Sequence, residues 1–340
     1  MAYSYNRNQR IYLLPESTFG VCPNSAGAAS FAGSDCALVL KASFKPNVDL
    51  IESQSKTGTR TVDAGTSGRR SGKWSIEVEL RTSGTAGTVP DIDVLWACAF
   101  GSNPVVAAGT SVTYSISDSI KSFSVFNART PSTVLQQVAI GCVVTEVTIS
   151  MGENTARCAF SGDCLWVADS VTFAQLGSGD TGKGGLTAIP SEPGTPTTTG
   201  AIIAGFTGGA TVDGNLLADI RNGTIKFNTG NAIPLDKFGS YYGGAPEGDT
   251  RSVTLSFSTY DNDSAAQTNL YSKALTKAKI NAAMQIGTVP GNIYTFNVKG
   301  VQLATQDITE GQRKWQADFS DSRAAGTSLG SLDELNAVLT

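Results

Sequence analysis

The stretch "LGSGDTGKGGLT", residues 176–187, carries Gly177, Gly182 and Lys183 at the G-x-x-x-x-G-K spacing of a phosphate-binding loop. In such a loop backbone N–H groups cradle the phosphates and a Ser or Thr after the lysine holds Mg²⁺. A helix must follow, with its N-terminus facing the anion. Gly184 occupies the hydroxyl position, and "GGLTAIPSEPGTPTTTG" follows with three prolines and four glycines, which helix interiors exclude. The stretch reads as a Gly-rich linker, and no nucleotide site is expected.

Other chemistry is equally thin. The chain has no His, which removes the usual general base, His-dependent nucleophilic triads and His-ligated metals. Six cysteines (Cys22, Cys36, Cys98, Cys142, Cys158 and Cys164) form no C-x-x-C knuckle and read as buried thiols. Cys22–Cys36 and Cys158–Cys164 are the pairs near enough in sequence to bridge under oxidation. Asp91 and Asp93 stand two residues apart at a helix start, where the dipole alone accounts for them. "NGT" at 222–224 reads as a turn. No cofactor or metal is expected, and no catalytic residue can be named.

Composition narrows the class. With 340 residues, 25 basic and 29 acidic, the chain is long enough for two domains and lacks the basic excess of a nucleic-acid binder. No run of apolar residues reaches membrane-spanning length. "MAYSYNRNQRIYLLPE" has too short an apolar core for a signal peptide. A soluble protein made in a cytoplasm is expected.

Period-two alternation dominates: "WSIEVEL" (74–80), "SVTYSIS" (111–117), "KSFSVFN" (121–127), "EVTISMG" (146–152), "GTIKFN" (223–228), "RSVTLSFSTY" (251–260) and "NIYTFNVKG" (292–300). These are half-buried strands, so a mainly antiparallel β protein is expected. Three helices are expected: 90–100 behind Thr88–Pro90, 264–279 capped by Asp263 or Ser264, and 331–339 with a Ser331…Glu334 capping box. The elements also repeat. "GCVVTEVTISMGENTARCAF" (141–160) and "GVQLATQDITEGQRKWQADF" (300–319) share the spacing Gly, eleven residues on to Gly, eight on to Phe. Each half runs strand, Gly-rich arm, alternating strand, helix, then this hairpin. Two β-sandwich or barrel units with a flanking helix follow, at 1–176 and 201–327. A linker at 177–200 joins them, and 328–340 is a helical extension.

"LLPESTFG", the Gly-rich arm, "PDIDVLWACAFG", "VAIGCVVTEVTISMGE" and "GTIKFN…DKFG…RSVTLSFSTYDND…NLYSKAL" resemble the major tail tube proteins of long, non-contractile-tailed, siphovirus-like bacteriophages. The resemblance covers most of residues 11–323. It implies a virion structural subunit, not an enzyme. Such units close side by side into rings, and the rings stack into a tube that holds the tape-measure protein, passes genomic DNA and meets tail-end proteins. Assembly in the host cytoplasm, without a membrane, goes with it. If six units close a ring, three chains suffice, giving a pseudo-six-fold trimer; a hexamer is the alternative. A tandem β-sandwich binding module, or another virion surface protein, has the same composition, with "FGSYYGGAPEGD" as a binding loop.

Assembly contacts are expected in three places. The first arm holds Lys56, Arg60, Arg69, Arg70 and Lys73. The second arm, 236–250, offers Asp236, Glu247 and Asp249, with Tyr241 and Tyr242. Complementary charge would orient one ring on the next. The chain ends are the third: a polar N-terminus without a partner strand, and a terminal helix presenting Leu332, Leu335, Val338 and Leu339 to a neighbour.

Overall fold

The structure is a computed structural model that describes residues 8–53, 56, 58, 64–129, 136–152, 155–193, 200–217, 219–311 and 314–340. The chain opens with β1 (Gln9–Pro15), a small ladder of β2 (Asn24–Ser25) with β3 (Ala28–Ala29), and β4 (Cys36–Ala37). A long hairpin of β5 (Lys41–Ile51) and β6 (Thr66–Glu79) leads to α1 (Asp93–Phe100). The first half continues with β7 (Val105–Ala107), β8 (Ser111–Ser115), β9 (Phe123–Arg129) and β10 (Gln137–Cys142). It ends with β11 (Glu146–Met151), β12 (Arg157–Cys164) and β13 (Trp166–Asp169).

The second half holds β14 (Gly209–Val212), β15 (Asn215–Leu217) and β16 (Ile220–Asn228). A small ladder of β17 (Asn231–Ala232) with β18 (Glu247–Gly248) precedes β19 (Ser252–Tyr260) and α2 (Ala265–Thr276). Then come β20 (Lys279–Ile286), β21 (Tyr294–Gln302), β22 (Asp307–Glu310), β23 (Trp315–Ala324) and β24 (Leu335–Leu339).

One connectivity occurs twice. Antiparallel pairs β5·β6, β6·β12 and β12·β11 have counterparts in β16·β19, β19·β23 and β23·β22. Facing them, the order β13-β10-β9-β1 has its counterpart in β24-β21-β20-β14. Register agrees too: Ile149 faces Cys158 and Ile308 faces Ala317, both displaced by 159 residues. Gly141 and Gly300, related by the same displacement, both sit at φ +64°, a conformation that favours glycine. Pairing of β11 with β16 then fuses the two four-stranded layers into one run, β5-β6-β12-β11-β16-β19-β23-β22.

The alternation in sequence becomes the two faces of this run. Trp74, Ile76 and Val78 of β6 are buried while Lys73 is exposed and Ser75 and Glu77 are at least partly so. Trp74 meets Phe123 of β9 edge-on at 5.1 Å, which holds the two layers of the first half together. A single buried apolar cluster includes Phe44, Trp96 and Phe160 from the first half and Phe227, Phe296 and Phe319 from the second. The halves are therefore not separate cores. α1 sits between them: Trp96 lies 5.0 Å from Phe160 of its own half and 5.9 Å from Phe296 of the other, ring centre to ring centre. The β7·β8 hairpin ties them again, because β8 pairs with β24.

Several expectations change. Residues 335–339 are a strand, not part of a helix: β24 lies between β21 and β8, with Leu335, Ala337 and Leu339 buried. Two open strand edges supply the backbone partners, whereas a nine-residue helix is marginal without packing. Of the N-terminal stretch, Gln9 and Arg10 do have a partner, since they belong to β1, between β9 and β4, whereas residues 1–7 lie outside the described residues. α1 begins at Asp93, with Ile92 at its N-cap, three residues after Pro90. α2 is capped by Ser264, whose side chain accepts from Gln267 N–H, and stops at Thr276 because Lys277 turns left-handed. All six cysteines are free and buried.

Candidate assembly surfaces

The P-loop look-alike has a structural use. Asp180 accepts from the Gly182 N–H at 2.8 Å and from the Tyr242 hydroxyl at 2.6 Å. A Cβ on Gly182 would lie 2.3 Å from that hydroxyl, so glycine here admits the tyrosine. Lys183 stands 4.9 Å over the Phe173 ring. The segment at 177–193 is thus seated on the body of the chain, with Leu186 buried and Glu192 paired to Arg10 at 2.7 Å.

Asp180 and Tyr242 also capture the first arm. Arg70 donates to the Tyr242 hydroxyl at 2.9 Å and reaches Asp180 at 3.5 Å, while its backbone N–H bonds the Tyr241 carbonyl at 2.7 Å. Its guanidinium lies within 6 Å of the Trp166, Tyr241 and Tyr242 rings (5.8, 5.5 and 5.8 Å). The bond to Tyr242 raises the Arg70 pKa further. Burial, then the bond to Asp180, pushes the Tyr242 phenol up to about 12. Two arms expected to meet across rings therefore meet inside one chain. Arg70 and Tyr242 form that internal clasp and are taken from the set of free contacts. Sequence reasoning missed Asp180 and Trp166, because nothing local joins residues more than 60 positions apart.

The other arm residues stay at the surface. Lys56, Lys73, Asp236, Tyr241, Glu247 and Asp249 are exposed and Arg69 is partly so, whereas Arg60 lies outside the described residues. Of the C-terminal stripe, Leu335 and Leu339 are buried inside the chain, Val338 is half-buried, and Leu332 alone is exposed. Asp91 and Asp93 are drawn inward. Asp91 accepts from the Leu38 N–H at 3.3 Å and Asp93 from the Tyr114 hydroxyl at 2.5 Å, and burial raises both carboxyl pKa values. Asp91 holds the chain just after β4, and Asp93 holds β8. Among the described residues, the trough of about 1200 Å³ between β11, β16 and β20 has Arg157 and Arg221 as its charged lining.

The fused run leaves two strands, one at each end, with an open side. Among the described residues, neither β5 nor β22 pairs with any strand except its hairpin mate. Residues 6–325 match a family model described as phage tail tube protein. The chain belongs to the phage tail tube protein family. This tail tube protein is a structural component of a bacteriophage virion, and its mainly β architecture agrees with the expected fold class. No curated protein matches it. Among the described residues, no helix is long and apolar enough to cross a membrane.

Proposed function

We propose that this tail tube protein self-assembles into rings of three chains that stack into the conduit for DNA ejection. The carrying observation is the doubled connectivity fused through β11·β16, with β5 and β22 left open at opposite ends. Each half is one tube unit, so three chains supply six units and close a ring of pseudo-six-fold symmetry. An open edge is an aggregation hazard in a monomer, and ring closure removes it. The lumen would hold the tape-measure protein and then the genomic DNA, with tail-end proteins capping the tube, after assembly in the host cytoplasm.

Stacking is assigned to the arms. Lys56, Arg69 and Lys73 of one ring would face Asp236, Glu247 and Asp249 of the next, with exposed Tyr241 alongside. Each exposed pair contributes only about 0–1 kcal/mol, so many around a ring are needed. The clasp at Arg70 would serve to fix both arms before a second ring arrives. Counting chains per ring in a tube reconstruction tests the reading. Three chains with alternating inequivalent units are expected; six full chains around one ring would overturn the trimer.

A further inference from the structure

We infer that the lateral contact is an antiparallel ladder between β22 of one chain and β5 of the next, with Ile308 opposite Phe44 and Asp307 opposite Lys45. This rests on the ring reading above and assigns its register. The template is the internal junction, where Thr148 faces Lys226 and Ile149 faces Ile225. β22 is β11 displaced by 159 residues. β5 is β16 displaced by 181, since Ile225↔Leu255 becomes Phe44↔Trp74 and Phe227↔Val253 becomes Pro46↔Gly72. Carrying both displacements through the template gives Ile308↔Phe44, Asp307↔Lys45 and Thr309↔Ser43.

Backbone direction provides an independent check. In β6 the N–H groups of Arg70 and Leu80 go to Tyr241 and Ala156, away from β5. Alternate residues of an antiparallel strand address opposite neighbours. The odd-numbered residues of β6 therefore bond β5 through Lys41, Ser43, Lys45 and Asn47, and Ala42, Phe44, Pro46 and Val48 face the open side. In β22 the Gly311 N–H bonds the Lys314 carbonyl, while the Trp315 carbonyl is taken by Asp261 beyond β23. Asp307 and Thr309 thus face β23, and Ile308 and Glu310 face the open side. The transferred register sets outward residues against outward residues. A slip of one would break every bond in the ladder.

Side-chain chemistry agrees. Residues 305–311, "TQDITEG", carry Asp307 and Glu310 and no base; residues 41–48, "KASFKPNV", carry Lys41 and Lys45 and no acid. Ile308 is 45 % exposed in the free chain, whereas its counterpart Ile149 is fully covered by the internal junction. Pro46 gives up one N–H on the open edge, a device that restrains pairing with wrong strands. At the far end α2 holds the corresponding place: Tyr271 stacks on Phe319 where Trp96 meets Phe160 edge-on, but Leu275 is 80 % exposed.

The test is site-directed disulfide trapping in the full chain. Ser43→Cys with Thr309→Cys places two thiols at a non-hydrogen-bonded pair, where Cβ atoms approach most closely. The native thiols are buried and do not compete. Mild oxidation of rings should give covalently closed oligomers on a non-reducing gel, with each single variant and the Lys45→Cys/Thr309→Cys control remaining one chain long. Preferential closure of that control, or no closure in rings confirmed by native mass, overturns the register and leaves the ring reading standing. Wild-type chain that never forms rings counts against the ring reading itself. As a second measurement, Asp307→Lys and Lys45→Asp should each weaken rings and together restore them; failure of that rescue also counts against the register.

Discussion

The two halves share a connectivity but treat their helices differently. In the first, α1 has Leu95 to Phe100 all buried, and Trp96 touches aromatic rings of both halves. In the second, α2 buries only Gln267, Leu270 and Ala274 and turns Leu275 outward. The arms differ likewise: the described part of the first continues the β5·β6 ladder with one register shift near Val48, and the second holds one two-residue ladder. The difference follows from position. The first half has its neighbour within the chain, so its helix is already covered. The equivalent edge of the second half, β22, is open where β11 is paired with β16, and α2 retains the amphipathic pattern of a solvent-exposed surface.

Removing residues 328–340 should have the largest effect on this contrast. It takes β24 out from between β21 and β8, leaving each with one open edge and uncovering the core, so insoluble or unfolded protein is expected in a soluble-fraction assay. A truncated chain that folds and melts like the full one would contradict the assigned strand.

Trp96→Ala should come next, at about 3–5 kcal/mol by urea denaturation, because a large buried aromatic is lost at the seam between halves. Tyr271→Ala at the corresponding site of the second half should have a clearly smaller effect on the free chain and instead impair ring formation. Equal losses from the two substitutions would erase the distinction between covered and open halves.

Glu16→Gln should destabilise by about 1–3 kcal/mol. Each carboxylate oxygen accepts from one backbone N–H (Gly20 or Gly141) and one hydroxyl (Ser122 or Ser124), and the amide nitrogen that replaces one oxygen cannot accept from its N–H. Burial raises the Glu16 pKa despite these bonds. A folded pKa above the unfolded one means that lowering pH through the carboxylate range favours the fold at this residue. The acid-side stability loss measured for wild type should therefore not be reduced in Glu16→Gln.

The smallest effects separate the arms. Arg70→Ala should loosen the clasp and increase amide hydrogen exchange near Tyr241 and Tyr242, at a stability loss of about 1 kcal/mol or slightly more. Arg69→Glu with Lys73→Glu should leave the melting curve of the free chain within about 0.5 kcal/mol and shorten tubes seen by microscopy. Exchange unchanged in the first variant, or tube length unchanged in the second, would remove the assigned roles.

Much of this organisation was readable from local pattern. Strands with clean alternation, such as 74–80 and 251–260, appear where period two put them, and Ser264 caps α2 as its hydroxyl suggested. The repeated hairpin at 141–160 and 300–319 was legible because Gly141 and Gly300, both at φ +64°, stand at the same place in each copy. The arm charges were legible as charges only. Which of them are free depended on Arg70 finding Tyr242 and Asp180, 172 and 110 residues away.

By itself, the sequence determined the β class and the doubled order of elements, since each depends on short-range periodicity. Only the tertiary structure decided the fate of "SLDELNAVL". Its capping residues favour a helix, yet "LNAVL" also alternates, and local propensity cannot choose between the two. The open edges of β21 and β8 supply a full set of backbone partners and a buried face for Leu335, Ala337 and Leu339. Ser331 turns its hydroxyl to the Ser328 carbonyl at 2.7 Å instead of capping a helix. Hydrogen bonds offered by distant strands outweigh a marginal nine-residue helix, and no reading of those nine residues alone contains that information.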